Sequence, residues 1–384
     1  MLAALLERAA FLFFRETKMT AESLDELRTS LGEIDREIIR LVGRRQGLVQ
    51  AIGRVKESRG GELRDFAQER RVLERARGAA DEAGIDPRLA EGLMLLLIES
   101  SLASQERQRV TSRSGGAGRR ALVIGGAGRM GSWFARFLLG QGYQVSIADP
   151  AAAPAPPEIR SDWDGSDLTE DLIVVAAPLR PAREILAQLA SRRPGGVIFD
   201  LGSVKAPLRS GLEALRDAGV RVASVHPLFG PDTELLAGRH VVLVDLGVPE
   251  ANQVVRDLFA PTMAQLVTMD LEGHDRAMAW VLGLSHALNI AFLTVLAESS
   301  RSRAELEQVA STTFGRQLQV AAPVAVENPR LYFEIQHLNQ YGPGLLESLG
   351  KAVDRIGAAV REGDEEAFVH LMENGRRWVE GTAR

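Results

Sequence analysis

Cysteine is absent from all 384 residues. That excludes disulfides, thiolate metal ligands and a cysteine nucleophile, and it fits a reducing compartment without requiring one. Histidine is scarce, with 6 in the whole chain. Charge of one sign is also lacking: 46 Lys and Arg stand against 51 Asp and Glu, a formal net charge of -5. There is then no general attraction for nucleic acid or an anionic membrane, and any anion must be held by a local constellation. No segment reads as long enough to span a bilayer. The stretch MLAALLERAAFLFFRETKMT is apolar but broken by Glu7, Arg8 and Arg15, and it has no small-residue cleavage site, so it reads poorly as a secretion signal. Residues 1–23 are expected to be an extension, either a frayed helix or an over-long start, with Met19 a candidate first residue. The expected location is the cytoplasm, and no metal site is expected.

What is present is enough for two or three domains, since 384 residues with 45% hydrophobic content exceed one ordinary core. From Leu24, apolar residues recur at Leu27, Leu31, Ile34, Ile38, Leu41, Leu48, Ile52 and Val55. This is the alternating three-and-four step of a long helix burying one stripe. Asp65 followed by Gln68 predicts a capped second helix through about Ala76, and Pro87 opens a third through RLAEGLMLLLIESSLASQERQR. The segment 24–110 is therefore all helical. Its stripe contains a misplaced charge, because Arg45 occupies the gap between Leu41 and Leu48. Arg28 lies one turn from Leu24 and Leu31, Lys56 one turn beyond Ile52, and the third-helix face of Leu93, Leu97 and Ile98 continues into Ser101 and Gln105. Unpaired, such groups are costly to bury. Two explanations stay open: a helix pair specified by buried polar residues, or a pocket for a small dianion.

After a Ser/Gly/Arg linker at 111–120, the runs ALVIGG, YQVSIAD, DLIVVAAP, GGVIFDLG, VRVASVHP and HVVLVDL alternate with helix-like stretches. This pattern predicts a Rossmann-type, doubly wound parallel sheet over 121–271. From about Glu272 strand signals stop, and 272–384 reads as helical. Gly126, Gly128 and Gly131 have GxGxxG spacing directly after a strand and at the start of a helix, with Arg129 and Met130 inside the loop. Glycines there permit a tight turn, close approach of a pyrophosphate and close helix packing. Asp149, ending the next strand, stands where a ribose-binding acid belongs and would repel a 2′-phosphate, which favours NAD over NADP. A glycine-rich turn without ligand is the alternative, and the context disfavours it. His226 closes an apolar run in VASVHPLFGPD; alone it reads more readily as a core or turn residue than as a catalyst.

These motifs carry a resemblance. The first segment resembles the all-helical chorismate mutase family on LRTSLGEID, GRRQGLVQAIGRVK, LRDFAQER and ESSLASQ. The remainder resembles prephenate dehydrogenases on DLGSVK, HPLFGPD, LSHALNIAFL and STTFGRQL. Together, in this order, they resemble the bifunctional T-protein family of tyrosine biosynthesis.

The resemblance implies mutase-site roles for Arg28, Arg45, Lys56, Asp65, Glu69, Ser101 and Gln105. Arg28 and Arg45 would grip substrate carboxylates, Lys56 and Gln105 would face the breaking ether oxygen, and Glu69 would hold the ring hydroxyl. It also implies a homodimer, with Arg28 reaching the partner's pocket. In the dehydrogenase, His226 would be the base that takes the proton of the prephenate ring hydroxyl, Arg316 would bind a substrate carboxylate, and His286 would lie near the substrate. Residues 272–384 would then be a helical substrate and dimerisation domain, and tyrosine is a candidate feedback ligand. Two departures stand out: Gln68 replaces a common arginine, and AAP (Ala176, Ala177, Pro178) replaces a strand-end motif that commonly carries serine. The alternatives are a dehydrogenase for prephenate or arogenate with a degenerate helical module, and a non-catalytic NAD sensor.

Overall fold

The computed structural model describes residues 23–58, 64–113, 115–151, 158–160 and 162–382. Expectations for the first 22 residues, including the start at Met19, lie outside them. The chain divides between Arg109 and Val110 into two compact units.

The first unit is built from α1 (Leu24–Ser58), α2 (Phe66–Ala83) and α3 (Pro87–Ser112), the last turn of which passes into the second unit. Ser23 and Glu26 exchange two hydrogen bonds that cap α1. Asp65 caps α2 through the Gln68 amide at 2.9 Å, and Gly84, at φ 69°, ends it. The helix thus runs seven residues beyond the expected end at Ala76, through alanines that favour it. The leucine stripe of α1 corrects an expectation, because within one chain it is not buried: Leu24, Leu31, Ile34 and Leu48 are all more than half exposed. The face that packs inside the chain is instead Val42, Arg45, Gln46, Val49, Gly53 and Lys56, all half-buried.

The second unit holds an eight-stranded sheet of order β3-β2-β1-β4-β5-β6-β7-β8. The strands are β1 (Arg120–Ile124), β2 (Gln144–Ala148), β3 (Glu158–Arg160), β4 (Leu172–Val175), β5 (Val197–Asp200), β6 (Val222–Pro227), β7 (His240–Val244) and β8 (Gln265–Met269). Between them run α4 (Arg129–Gly140), α5 (Leu179–Arg192), α6 (Arg209–Asp217) and α7 (Pro249–Phe259). Leu122 and Ile124 of β1 face a core shared with Leu186 and Leu212 of α5 and α6. Ala121 and Val123 face the opposite core, with Phe134 and Phe259 of α4 and α7. Strands covered on both faces need the continuous β-branched runs seen in the sequence. One pairing departs from the all-parallel expectation: β7 runs antiparallel to β6. No helix lies in the connection between them, and a parallel return normally needs such a crossover.

The chain continues as α8 (Leu271–Met278), a π-helical turn (Ala279–Leu284), α9 (Ser285–Glu298), α10 (Arg303–Gln308), α11 (Thr312–Val326), α12 (Pro329–Leu338), α13 (Gly342–Glu362) and α14 (Glu365–Val379). Leu271–Glu298 forms one helical run of 28 residues, and an 18-residue stretch of it reaches a mean hydropathy of 1.7, long and apolar enough by composition to cross a membrane. That corrects the expectation that no segment has such length. The run nevertheless opens on buried His274 and Asp275 and carries buried Asn289, which accepts a hydrogen bond from Gln317 at 2.9 Å.

Candidate active sites

In the first unit Arg45 of α1 is bonded to α3 through one guanidinium nitrogen, Nη1. Arg45 donates to the Leu97 carbonyl at 3.0 Å and to Ser101 Oγ at 2.7 Å, and the Ser101 hydroxyl also reaches Gln46 at 3.3 Å. One turn on, Gln105 donates to the Val49 carbonyl at 3.2 Å and lies against Gly53, where an added Cβ would sit 3.3 Å from it. Arg45, Ser101 and Gln105 therefore share one polar seam. The remaining candidates lie apart from these bonds. Arg28 is exposed and pairs with Asp25 at 3.5 Å, Lys56 is half-buried at the end of the seam, and Asp65 is occupied as the α2 cap. Glu69 accepts a two-pronged contact from Arg64 at 3.0 and 3.2 Å. Arg64 itself stacks over Phe66 at 4.4 Å, and the sequence reading overlooked it.

In the second unit the glycine loop joins β1 to α4. Gly125, at φ 81°, makes the sharp turn, and a Cβ on it would sit 2.7 Å from the Ala177 amide. A Cβ on Gly131 would lie 2.2 Å from the Gly125 carbonyl, so the helix approaches the loop as closely as a backbone can. Gly128 caps α4 without any side-chain bond, leaving the N–H groups of Arg129, Met130 and Gly131 for an anion. This cradle fits a dinucleotide pyrophosphate. The Arg129 guanidinium is held by Glu327 at 2.7 Å and by Asp232 at 2.8 Å. Asp149 accepts from the Ala127 amide at 3.1 Å and the Ala151 amide at 2.9 Å, which fixes its carboxylate beside the loop. Like charges about 4 Å apart cost about 1–4 kcal/mol, so turnover with NAD is expected to exceed that with NADP by about five- to several-hundredfold in kcat/KM. Asp149→Ser should narrow the ratio, and equal turnover with both in the parent would contradict the role of Asp149.

Because β1, β4, β5 and β6 are mutually parallel, the end of β6 carrying His226 lies on the same sheet edge as the glycine loop, the edge where such sheets bind ligands. His226 is buried, and its Nδ1 lies 2.9 Å from Nε2 of His274. His274 Nδ1 lies 2.8 Å from Asp275 Oδ1, and the Asp275 carboxylate also accepts the amides of Lys205 at 2.7 Å and Ala206 at 2.6 Å. A fully buried Lys205 pairs with Asp200 at 2.6 Å and donates to the Val225 carbonyl at 2.9 Å. Burial, then the neighbouring His274 and Lys205, pushes the His226 imidazole well below the ordinary histidine range. Burial also lowers His274, against the opposing pull of Asp275. The sequence reading missed His274 and Asp275, and it quoted DLGSVK without giving Asp200 or Lys205 a role. The signal available for the first pair was an adjacent His and Asp at the start of a long apolar run.

One helix brings a group to this edge, and two further candidates lie on its neighbours. Glu334 of α12 accepts from the Leu179 amide at 3.3 Å, directly after the AAP stretch. His286 of α9 rests on Tyr332 of α12 with ring centroids 4.3 Å apart, its Nδ1 buried without a partner among the described residues. Arg316 is exposed on α11, the helix that bonds α9 through Gln317 and Asn289. No hydrogen bond or ion pair among the described residues joins His226 to His286 or Arg316.

A dinucleotide cradle and a partnered imidazole on one edge of a doubly wound sheet define a nicotinamide-dependent dehydrogenase, here preceded by a separate helical unit. Family models match chorismate mutase type II over residues 27–106, the prephenate dehydrogenase nucleotide-binding domain over 162–268 and the prephenate dehydrogenase dimerization domain over 270–374. The chain is 26% identical over 361 residues to the T-protein of Enterobacter agglomerans, covering 94% of each. It is 31% identical over 273 residues to the 4-amino-4-deoxyprephenate dehydrogenase of Streptomyces pristinaespiralis, covering 68% of this chain and 91% of that one. The solved prephenate dehydrogenase of Aquifex aeolicus, in complex with hydroxyphenyl propionate and NAD+, shares the fold with TM-score 0.55 and 21% identity over 68% of this chain and 98% of that chain. The chain belongs to the prephenate dehydrogenase family, with a type II chorismate mutase domain ahead of it.

Proposed function

We propose that the first unit rearranges chorismate to prephenate and that the second oxidatively decarboxylates prephenate to 4-hydroxyphenylpyruvate, for tyrosine biosynthesis. The observation that carries the dehydrogenase is the state of His226, whose Nδ1 is engaged by His274 while Nε2 has no partner among the described residues. His226 Nε2 takes the proton of the ring hydroxyl as that carbon gives up hydride and the ring carboxylate leaves as carbon dioxide. The electron pair of the broken carbon–carbon bond completes the aromatic ring, and the phenolate oxygen recovers the proton. NAD supplies the hydride acceptor. Arg316 is proposed to bind a substrate carboxylate as a two-pronged donor, with His286 beside it.

In the mutase the reaction needs no acid, base or covalent intermediate, so catalysis is positioning and charge stabilisation. Arg45 would hold a carboxylate and Gln105 and Lys56 the ether oxygen, with Arg28 supplied by a second chain. Ser101 orients Arg45, Glu69 is proposed for the ring hydroxyl, and Asp65 for the start of its helix. The exposed α1 stripe, and exposed Val353, Ile356, Phe368 and Met372 on α13 and α14, support a homodimer. Tyrosine carries the product's hydroxyphenyl ring, which makes the dehydrogenase pocket the place for a feedback ligand. The proposed compartment is the cytoplasm, consistent with a chain free of cysteine.

Purified protein given chorismate alone is expected to consume it without NADH, and given prephenate with NAD it is expected to form NADH. Absence of the second signal would leave the sheet a binding module, and absence of the first would leave the helices a dimerisation module.

A further inference from the structure

The AAP stretch offers no hydroxyl at the sheet edge, yet a base must present one bare nitrogen in a fixed direction. The hydrogen-bond chain solves this by logic. The Asp275 carboxylate accepts two backbone amides, so it faces His274 Nδ1 as an acceptor and that nitrogen must carry the proton. Neutral His274 then has a bare Nε2, which must accept from His226 Nδ1. The remaining nitrogen of His226 is therefore unprotonated.

We propose that His274 and Asp275 are positioning residues of the dehydrogenase, which hold His226 in the tautomer with Nε2 bare. The proposal rests on His226 being the base. Asp275 is itself set by the 200–206 loop, because Lys205 clamps Val225, the residue before His226, with its side chain and Asp275 with its amide. All these groups are buried, so neither ring can turn without breaking a bond that water cannot replace.

The chain also makes His274 a second point of acid sensitivity. A proton on His274 Nε2 turns it from acceptor to donor, reverses the bond to His226 and moves the His226 proton to Nε2, which disables the base. The charged and titratable groups facing this pair are Lys205, Asp200 and Asp275. Burial lowers both imidazoles, so neutral rings persist below the usual histidine pKa of about 6.5.

The test compares His274→Leu with His274→Gln in the full-length protein, using kcat for prephenate across pH 5–8, NAD affinity and chorismate turnover. Leucine cannot accept from His226, whereas the glutamine carbonyl can and does not titrate. His274→Leu is expected to lower kcat by about a hundredfold, with NAD affinity and chorismate turnover as in the parent. His274→Gln should recover most of that loss and move the acid limb of kcat to lower pH. Parent-like kcat and pH profile in both variants, or equal losses in both, would overturn the relay. His226→Asn run alongside separates the two claims. If it is inert while both His274 variants behave like the parent, only the relay fails; if it is active, the base assignment fails and takes the relay with it.

Discussion

His226→Asn is expected to lower NADH formation from prephenate by about 10²–10⁴-fold, the usual worth of a positioned general base, while leaving chorismate turnover and NAD affinity near those of the parent. The asparagine amide can still donate to His274 Nε2 from the place of Nδ1, so the buried chain through Asp275 stays closed. What is lost is a basic nitrogen toward the substrate. The glycine cradle stands at the end of β1, separated from β6 by two strands, and the mutase seam belongs to the other unit. Their readouts therefore report whether the fold survived. Stopped-flow NADH absorbance with saturating prephenate is the measurement, and retention of more than about a tenth of the rate would remove His226 from the chemistry.

Arg45→Leu is expected to abolish chorismate turnover, by on the order of a hundredfold or more, while prephenate-dependent NADH formation continues. The competing account makes Arg45 a polar specifier of helix pairing. On that account leucine should pack at least as well and leave turnover unchanged, because a buried charge is often replaceable by an apolar residue without loss of stability. The seam makes the substitution a clean test of the two accounts. Ser101 keeps its bonds to Leu97 and Gln46 after the change, so leucine strands no hydroxyl. A folded variant with parent mutase kinetics, measured as chorismate disappearance in the ultraviolet, would return the seam to a purely structural role.

Much of this was legible in the sequence, and the gaps have physical causes. The glycine spacing was readable because each glycine answers a steric demand within a few residues of chain. Gly125, which makes the turn, was passed over because it lies one residue before the GxGxxG spacing that starts at Gly126. Periodicity found the stripe of α1 but expected it to be buried, and within one chain it is exposed. Counting apolar residues cannot distinguish a face covered by its own chain from one left for another, and the true internal face is half polar and small. The direction of β7 was overlooked although the absence of a helix before it was a clue. His274 escaped because its meaning depends on His226, 48 residues away, and no local pattern links an imidazole to another across that span.

The bonds around Asp275 also bear on how this enzyme can be dissected. A cut near residue 271 looks natural, since strands end there and helices begin. It would remove the carboxylate that holds the Lys205 and Ala206 amides, and with it the acceptor for His226. The isolated sheet would be left with several buried donors facing nothing, each a cost of about 1–3 kcal/mol. Sheet and helices of this unit are therefore one cooperative folding block, and a workable truncation has to fall near Arg109, where the compact units part.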